Sequence, residues 1–158
     1  MIERVKPWLN TDYERVSKQD KLFMTDSGLM SSILRWKKEQ IELHPDRSGK
    51  LIETYLFNEI SAHIDASGGE YQLFHYRDRE KREIDFIVER EDGALLCIEI
   101  KAGSVIGNDD FKHLKWFRDN IADNRPFVGL VLYAGEQAGK MEENLWAIPY
   151  SQLLSSNP

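Results

Sequence analysis

An acid and a base leave one strand side by side at Glu99-Ile100-Lys101. The triplet closes the apolar run Ala94-Leu95-Leu96-Cys97-Ile98, opened by the turn pair Asp92-Gly93, which is the pattern of a buried strand. Side chains alternate along a strand, so Glu99 and Lys101 share one face while Ile98 and Ile100 share the other. Charges at such depth are costly unless they are paired or ligate a metal. A second acid, Asp85, stands in Glu83-Ile84-Asp85-Phe86-Ile87-Val88-Glu89, where Ile84, Phe86 and Val88 mark one face and Asp85 the other. The polar stretch Glu89–Gly93 reads as a hairpin loop, so the two strands are antiparallel neighbours and Asp85 is expected beside Glu99. Paired carboxylates of this kind suit a divalent cation with oxygen ligands. A third acid, Glu53, falls on the apolar stripe Leu56, Phe57, Ile60 and Ile64 of a helix expected from Gly49 to about Asp65. Glu59 lies off that stripe and is expected in solvent.

Other elements must position these groups. Residues 1–20 are polar and read as an irregular lead-in or helical tail. Lys21–Thr25 reads as a short strand, and Asp26 as the N-cap of a helix through about Lys38, with Leu29, Ile33 and Trp36 on one face. His44–Gly49 reads as a loop, and Ala66-Ser67-Gly68-Gly69 as the end of the Glu53 helix. Tyr71–Arg77 and Phe127–Tyr133 read as strands, Gly103–Asn108 as a turn, and Asn108 as the cap of a helix carrying Phe111, Leu114 and Phe117. Trp146–Ile148 and Tyr150–Leu154 read as a closing strand and helical turn.

The order helix with Glu53, strand, strand with Asp85, strand with Glu99-x-Lys101, helix, strand resembles the core of the PD-(D/E)XK nuclease-like superfamily, which runs α-β-β-β-α-β. The resemblance implies an α/β fold, a mixed sheet flanked by helices. It covers roughly residues 48–134, with Ile84 where the name of the superfamily has Pro. A narrower resemblance spans most of the chain. Lys21-Leu22-Phe23-Met24-Thr25-Asp26-Ser27-Gly28-Leu29 is similar to the segment that opens the C-terminal domain of a prokaryotic family of AAA-type ATPases. In that family a Gly-x-x-x-Glu helix, a Tyr-x-Arg strand, an acidic-Val/Ile-Asp-Phe strand and a Glu-x-Lys strand follow. Here they correspond to Gly49–Glu53, Tyr76-Arg77, Glu83–Phe86 and Glu99–Lys101.

The superfamily resemblance implies a metal-dependent nuclease acting on DNA. Asp85 and Glu99 would hold Mg²⁺ or Mn²⁺ with the Ile100 carbonyl, and Glu53 would orient the attacking water or ligate a second ion. Lys101 would position or deprotonate that water, with its pKa lowered by desolvation. The catalytic set is thus Glu53, Asp85, Glu99 and Lys101. The alternative is a non-catalytic module that docks nucleic acid or protein alongside an AAA-type ATPase, in cis or in trans. No G-x-x-x-x-G-K-[ST] occurs, and Ser48-Gly49-Lys50 lacks the first Gly and the Ser/Thr. The chain is therefore expected to be either one part of a larger ATPase or a standalone relative without one. The superfamily resemblance leaves oligomeric state open, with a homodimer as one option, because this fold often works as a dimer when it makes double-strand cuts.

Composition narrows the rest. With 158 residues, 41% hydrophobic and 30% charged, the chain can bury one core. The expected organisation is a lead-in and helix over 1–47, the nuclease-like core over 48–134, and a C-terminal extension of the same domain over 135–158. One cysteine, Cys97, excludes an internal disulfide and suits a cytoplasmic setting. Met1–Pro7 lacks the apolar stretch of a secretion signal, and no run is long enough to span a membrane. His44, His63, His75 and His113 have no metal-ligand spacing and read as structural. The net charge of −6 is unusual for a DNA-binding chain, but it is uneven. Arg77, Arg79, Lys81 and Arg82 gather positive charge just before the Asp85 strand, where they could meet a phosphate backbone.

Overall fold

Alternating and continuous apolar runs build one mixed sheet. In the computed structural model, which describes residues 1–9 and 19–155, the strands are β1 (Ile2–Pro7), β2 (Lys21–Met24), β3 (Tyr71–Arg77), β4 (Glu83–Arg90), β5 (Leu95–Lys101), β6 (Phe127–Tyr133), β7 (Gly139–Glu142) and β8 (Leu145–Pro149). Their order across the sheet is β2-β1-β3-β4-β5-β6-β8-β7. The helices are α1 (Ser27–Ile33), α2 (Lys38–Leu43), α3 (Pro45–Ala66), α4 (Lys112–Asn120) and α5 (Tyr150–Ser155), with a 3-10 turn over Asn108–Phe111 leading into α4. The sequence α3-β3-β4-β5-α4-β6 is the α-β-β-β-α-β order read from the residues, and the chain is an α/β fold.

Each face of the sheet has its own core. On one side α3 lays Leu56 and Phe57 against Val5, Phe23, Phe86, Ile98 and Leu132. There the Phe23 and Phe57 rings stack with centroids 4.5 Å apart. On the other side Phe111, Leu114 and Phe117 from the α4 region meet Ile84, Ile87, Leu95, Cys97 and Val131. The sheet turns from antiparallel to parallel at β5: α4 connects β5 to β6, which pair in parallel, as do β6 and β8.

Several local expectations change. Ile2–Pro7 is a strand, and the lead-in is ordered there because it pairs antiparallel with β2 and parallel with β3. The remainder of that reading, residues 10–18, lies outside the described residues. The helix capped by Asp26 is real, with the Asp26 carboxylate accepting from the Leu29 N–H at 2.8 Å. It stops at Ile33, because Arg35 adopts a left-handed φ of 51° and separates α1 from α2. Leu29 and Ile33 stay exposed and Met30 is the buried residue of α1. The His44–Gly49 loop is instead the first turn of α3, which starts at Pro45 because proline tolerates the first helical position. Ahead of α4, Asp110 rather than Asn108 caps the backbone, accepting from the Gly107 N–H at 2.8 Å.

One irregularity matters for function. Phe74 pairs with Ile87 and Tyr76 pairs with Ile84, so His75 alone faces both Asp85 and Phe86. This is a β-bulge on β4. It breaks the expected alternation: Ile84 and Ile87 face α4, while Phe86 faces α3.

Candidate metal centre

The bulge re-aims Asp85. The β4/β5 ladder ends at Phe86↔Ile98. Beyond it, Asp85 Oδ2 accepts the Ile100 N–H at 2.9 Å, so the carboxylate takes the place of a strand partner. Its other oxygen turns toward α3 and accepts from Lys21 Nζ at 3.1 Å. Lys21 Nζ also donates to Glu83 Oε1 at 3.3 Å and makes a close ion pair with Glu53 Oε1. Glu53 Oε2 accepts from Lys50 Nζ at 3.1 Å, one helical turn earlier on α3. Glu53 is thus held on the inward edge of its helix, with a side chain 12% exposed. Glu59 is exposed, as expected.

Glu99 and Lys101 form an adjacent pair. Alternation with Cys97, a member of the α4-side core, places both on that side of β5. Lys101 Nζ donates to Glu99 Oε1 at 3.0 Å and stands 4.0 Å from Asp110 Oδ1. Glu99 is only 7% exposed, and its Oε2 is buried with no hydrogen-bond partner among the described residues. A buried, unpaired carboxylate oxygen is costly. The four residues picked out by spacing therefore meet at one end of β5, but in two groups. Glu53 and Asp85 gather around Lys21, and Glu99 pairs with Lys101.

Protonation follows this division. Burial, then the negative charge of Asp85, pushes the Glu99 carboxyl up to about 8, against the pull of Lys101. Burial also raises Asp85, with Lys21 opposing and Glu53 adding to the rise. Burial acts to raise Glu53, but the cations of Lys21 and Lys50 outweigh it and hold its carboxyl below the usual range. Lys21 and Lys101 are both raised, because their carboxylate partners outweigh the desolvation that would lower them. For Lys101 this corrects the expectation of a lowered pKa: beside Glu99 and Asp110 it is held as an ammonium.

The donors fit Mg²⁺ or Mn²⁺ in kind, since all are hard carboxylate oxygens and one of them, Glu99 Oε2, is buried without a partner. Their present arrangement does not close around an ion. Among the described residues no three His, Cys, Asp or Glu side chains are gathered to hold one. Lys21 already neutralises the Glu53 and Asp85 oxygens that would face it.

Of the basic residues, Arg77, Arg79 and Lys81 are exposed in and after the end of β3, next to Glu83 at the start of β4 and so at the same end as Asp85. Arg82 is engaged internally. It bonds Asp78 Oδ2 at 2.9 Å, pairs with Glu80, and lies over the Trp116 ring at 3.9 Å. His75 and His113 bond backbone carbonyls, of Gln19 and Glu83 respectively, and Cys97 is a buried free thiol. Residue reasoning missed Lys21, Glu83 and Lys50. Lys21 was visible only as part of a segment resemblance, and nothing near it in sequence signals its partners. Among the described residues no helix is long and apolar enough to cross a membrane.

A protein-family model described as a domain of unknown function (DUF4143) matches residues 48–153. No curated protein matches the chain. Among solved structures it is similar, at 12% identity and a TM-score of 0.41, to a chain of a Thermococcus gammatolerans assembly. That assembly is described as a refined half-complex from a tetradecameric assembly of McrB AAA+ hexamers with bound McrC. The likeness covers 65% of this chain and 27% of that one, so the chain spans about a quarter of its length.

Proposed function

The chain belongs to the DUF4143 family, and from that premise we propose that it is a divalent-cation-dependent phosphodiesterase acting on nucleic acid, with DNA as the substrate. The observation that carries this is the buried Glu99 oxygen without a partner, set next to Asp85 where β4 and β5 part. A carboxylate held near neutral at that depth is what a site looks like when it awaits a cation. Asp85, Glu99 and Glu53 would hold Mg²⁺ or Mn²⁺. When bound, the ion would lower the pKa of water and offset negative charge on the reacting phosphate.

The chain's own residues supply the rest. As one of the residues holding the ion, Glu99 would have to be ionised. Lys101 stays an ammonium, held by Glu99 and Asp110, so its part is to position the attacking water and to stabilise charge rather than to abstract a proton. Arg77, Arg79 and Lys81 would meet the phosphate backbone ahead of β4 and orient the strand. Arg82 holds that turn through Asp78 and Trp116.

A second reading is favoured by Lys21. With its ammonium fixed between Glu53 and Asp85, the core would keep its fold and lose its chemistry. The domain would then dock nucleic acid or protein beside an AAA-type ATPase, a partner suggested by the Lys21–Leu29 segment and the motifs that follow it. The experiment that separates the two is cleavage of plasmid and single-stranded DNA with Mn²⁺ or Mg²⁺, wild type beside Asp85→Ala and Lys101→Ala. Metal-dependent cleavage lost in both variants supports the phosphodiesterase. Cleavage retained by either variant removes its site. No cleavage by folded wild-type protein leaves the docking module.

A further inference from the structure

Among the described residues, Lys21 is the one cation that touches three carboxylates of the centre. Its Nζ spans α3 and β4, pairing with Glu53 and bonding Asp85 at 3.1 Å and Glu83 at 3.3 Å. It arrives from a different part of the fold. β2 is at the edge of the sheet, four residues long, and among the described strands pairs only with β1. β1 in turn joins the rest of the sheet through two register pairs with β3. The lysine is thus delivered by an edge ribbon, while its carboxylate partners sit on the central strands and the long helix. Its Nζ also lies 5.7 Å from the Phe23 ring centroid, so the stem runs over an apolar floor.

We infer that Lys21 is a built-in counter-ion that competes with the divalent cation, so that the centre takes up metal only by releasing the Lys21 ammonium from Glu53 and Asp85. The inference rests on the phosphodiesterase reading for the existence of the metal site, and it adds how that site is kept closed. The physical basis is simple. An ion ligated by both Glu53 and Asp85 needs the oxygens that now face Nζ, and two cations cannot share that space. Without either cation, three carboxylates of one cluster would repel one another in a half-buried pocket. Lys21 therefore stabilises the metal-free state and weakens metal binding by the same interactions. Apparent affinity is the intrinsic affinity multiplied by the fraction of molecules in which the lysine is out. Lys50 does not share this role, because it is exposed and, among the described residues, Glu53 Oε2 is its one carboxylate partner.

The test is Mn²⁺ binding to the full chain, followed by calorimetry or by the loss of the free-ion signal in electron paramagnetic resonance. Lys21→Met keeps the apolar stem and removes the charge. It is expected to bind Mn²⁺ about tenfold more tightly or better. Lys21→Arg keeps the charge and is expected to bind as weakly as wild type. Equal or weaker binding by folded Lys21→Met overturns the inference. Should that variant not fold without metal, wild-type protein decides the matter. Saturating Mn²⁺ is expected to raise the acylation of the Lys21 amine, read by mass spectrometry, as it leaves its carboxylates. Unchanged or reduced acylation, or no Mn²⁺ binding at all, overturns the inference. Failure here is distinct from failure of the catalytic reading. A protein that binds Mn²⁺ equally well with and without the Lys21 charge, yet cleaves DNA, sinks only the competition. One that shows the competition and never cleaves sinks only the catalysis.

Discussion

Two lysines sit at one end of the same sheet, and they are used differently. Lys21 comes from an edge strand and is shared among Glu53, Glu83 and Asp85 on the α3 side. Lys101 comes from a central strand and serves Glu99, with Asp110 further off, on the α4 side. On the Lys21 side the negative charge is largely answered, and Glu53 is driven to its ionised form. On the Lys101 side it is not, and Glu99 keeps an orphaned oxygen and a raised pKa. The lesson is that the number of acids does not make a region reactive. What counts is whether the fold supplies their positive partners from within.

The sharpest way to break this comparison is chemical. Asp85→Ala and Lys101→Ala should each lower metal-dependent DNA cleavage by on the order of 10²–10³-fold, measured in single-turnover assays. A loss on only one side would show that the two groups do not form one centre.

Stability comes next. In metal-free buffer, Lys21→Met leaves several half-buried carboxylates without their shared cation and should cost about 3 kcal/mol in urea unfolding. Lys101→Met should cost only about 1 kcal/mol, because Glu99 can answer by keeping its proton. Equal losses would erase the distinction drawn between the two lysines.

The third probe is pH. Glu99 titrates at about 8 in the fold against an ordinary 4.5. The folded protein therefore binds a proton that the unfolded chain has released between those values. The stability this contributes is fully present below pH 4.5 and is lost as pH rises through 8. Glu99→Gln should be about 2 kcal/mol more stable than wild type above pH 8 and nearly equal to it near pH 5, with metal removed. Glu53 works in the opposite sense: its lowered pKa contributes stability above the ordinary carboxylate range, which fades as acid protonates it. A wild-type curve parallel to that of Glu99→Gln would refute the assignment.

The smallest effect is on substrate. Arg79→Ala with Lys81→Ala should weaken DNA binding several-fold and lower its salt dependence by about one ion per residue removed. Arg82→Ala should instead act through stability, since its head group is held by Asp78 and Trp116.

Much of this was legible in the residues, for physical reasons. β3 to β6 announce themselves through alternation or continuous apolar runs, and the stripe on α3 shows where Glu53 faces. β1 does not, because only Val5 of its six residues is buried and its strand form depends on pairing. β7 is exposed along its whole length and carries no alternation to read. Asp26 marks the start of α1 well, but the positive φ at Arg35 that ends it has no glycine or asparagine to betray it. Lys21 is the deepest omission. Its partners stand 32, 62 and 64 positions away, and contacts at that range leave no trace in local pattern.

The bulge on β4 has one more consequence. A strand is a two-stroke ruler, and the extra residue beside His75 shifts its phase by half a cycle. Upstream of that point Ile84 keeps time with the α4 face, and Phe86 beyond it keeps time with the α3 face. Strict alternation counted back from Ile87 through Phe86 would put Asp85 on the α4 face, away from Lys21 and Glu53. The doubled count opposite His75 is what keeps it on theirs, without any change in the acids themselves. The centre is thus encoded in part by arithmetic, by how many residues β4 holds rather than by which ones.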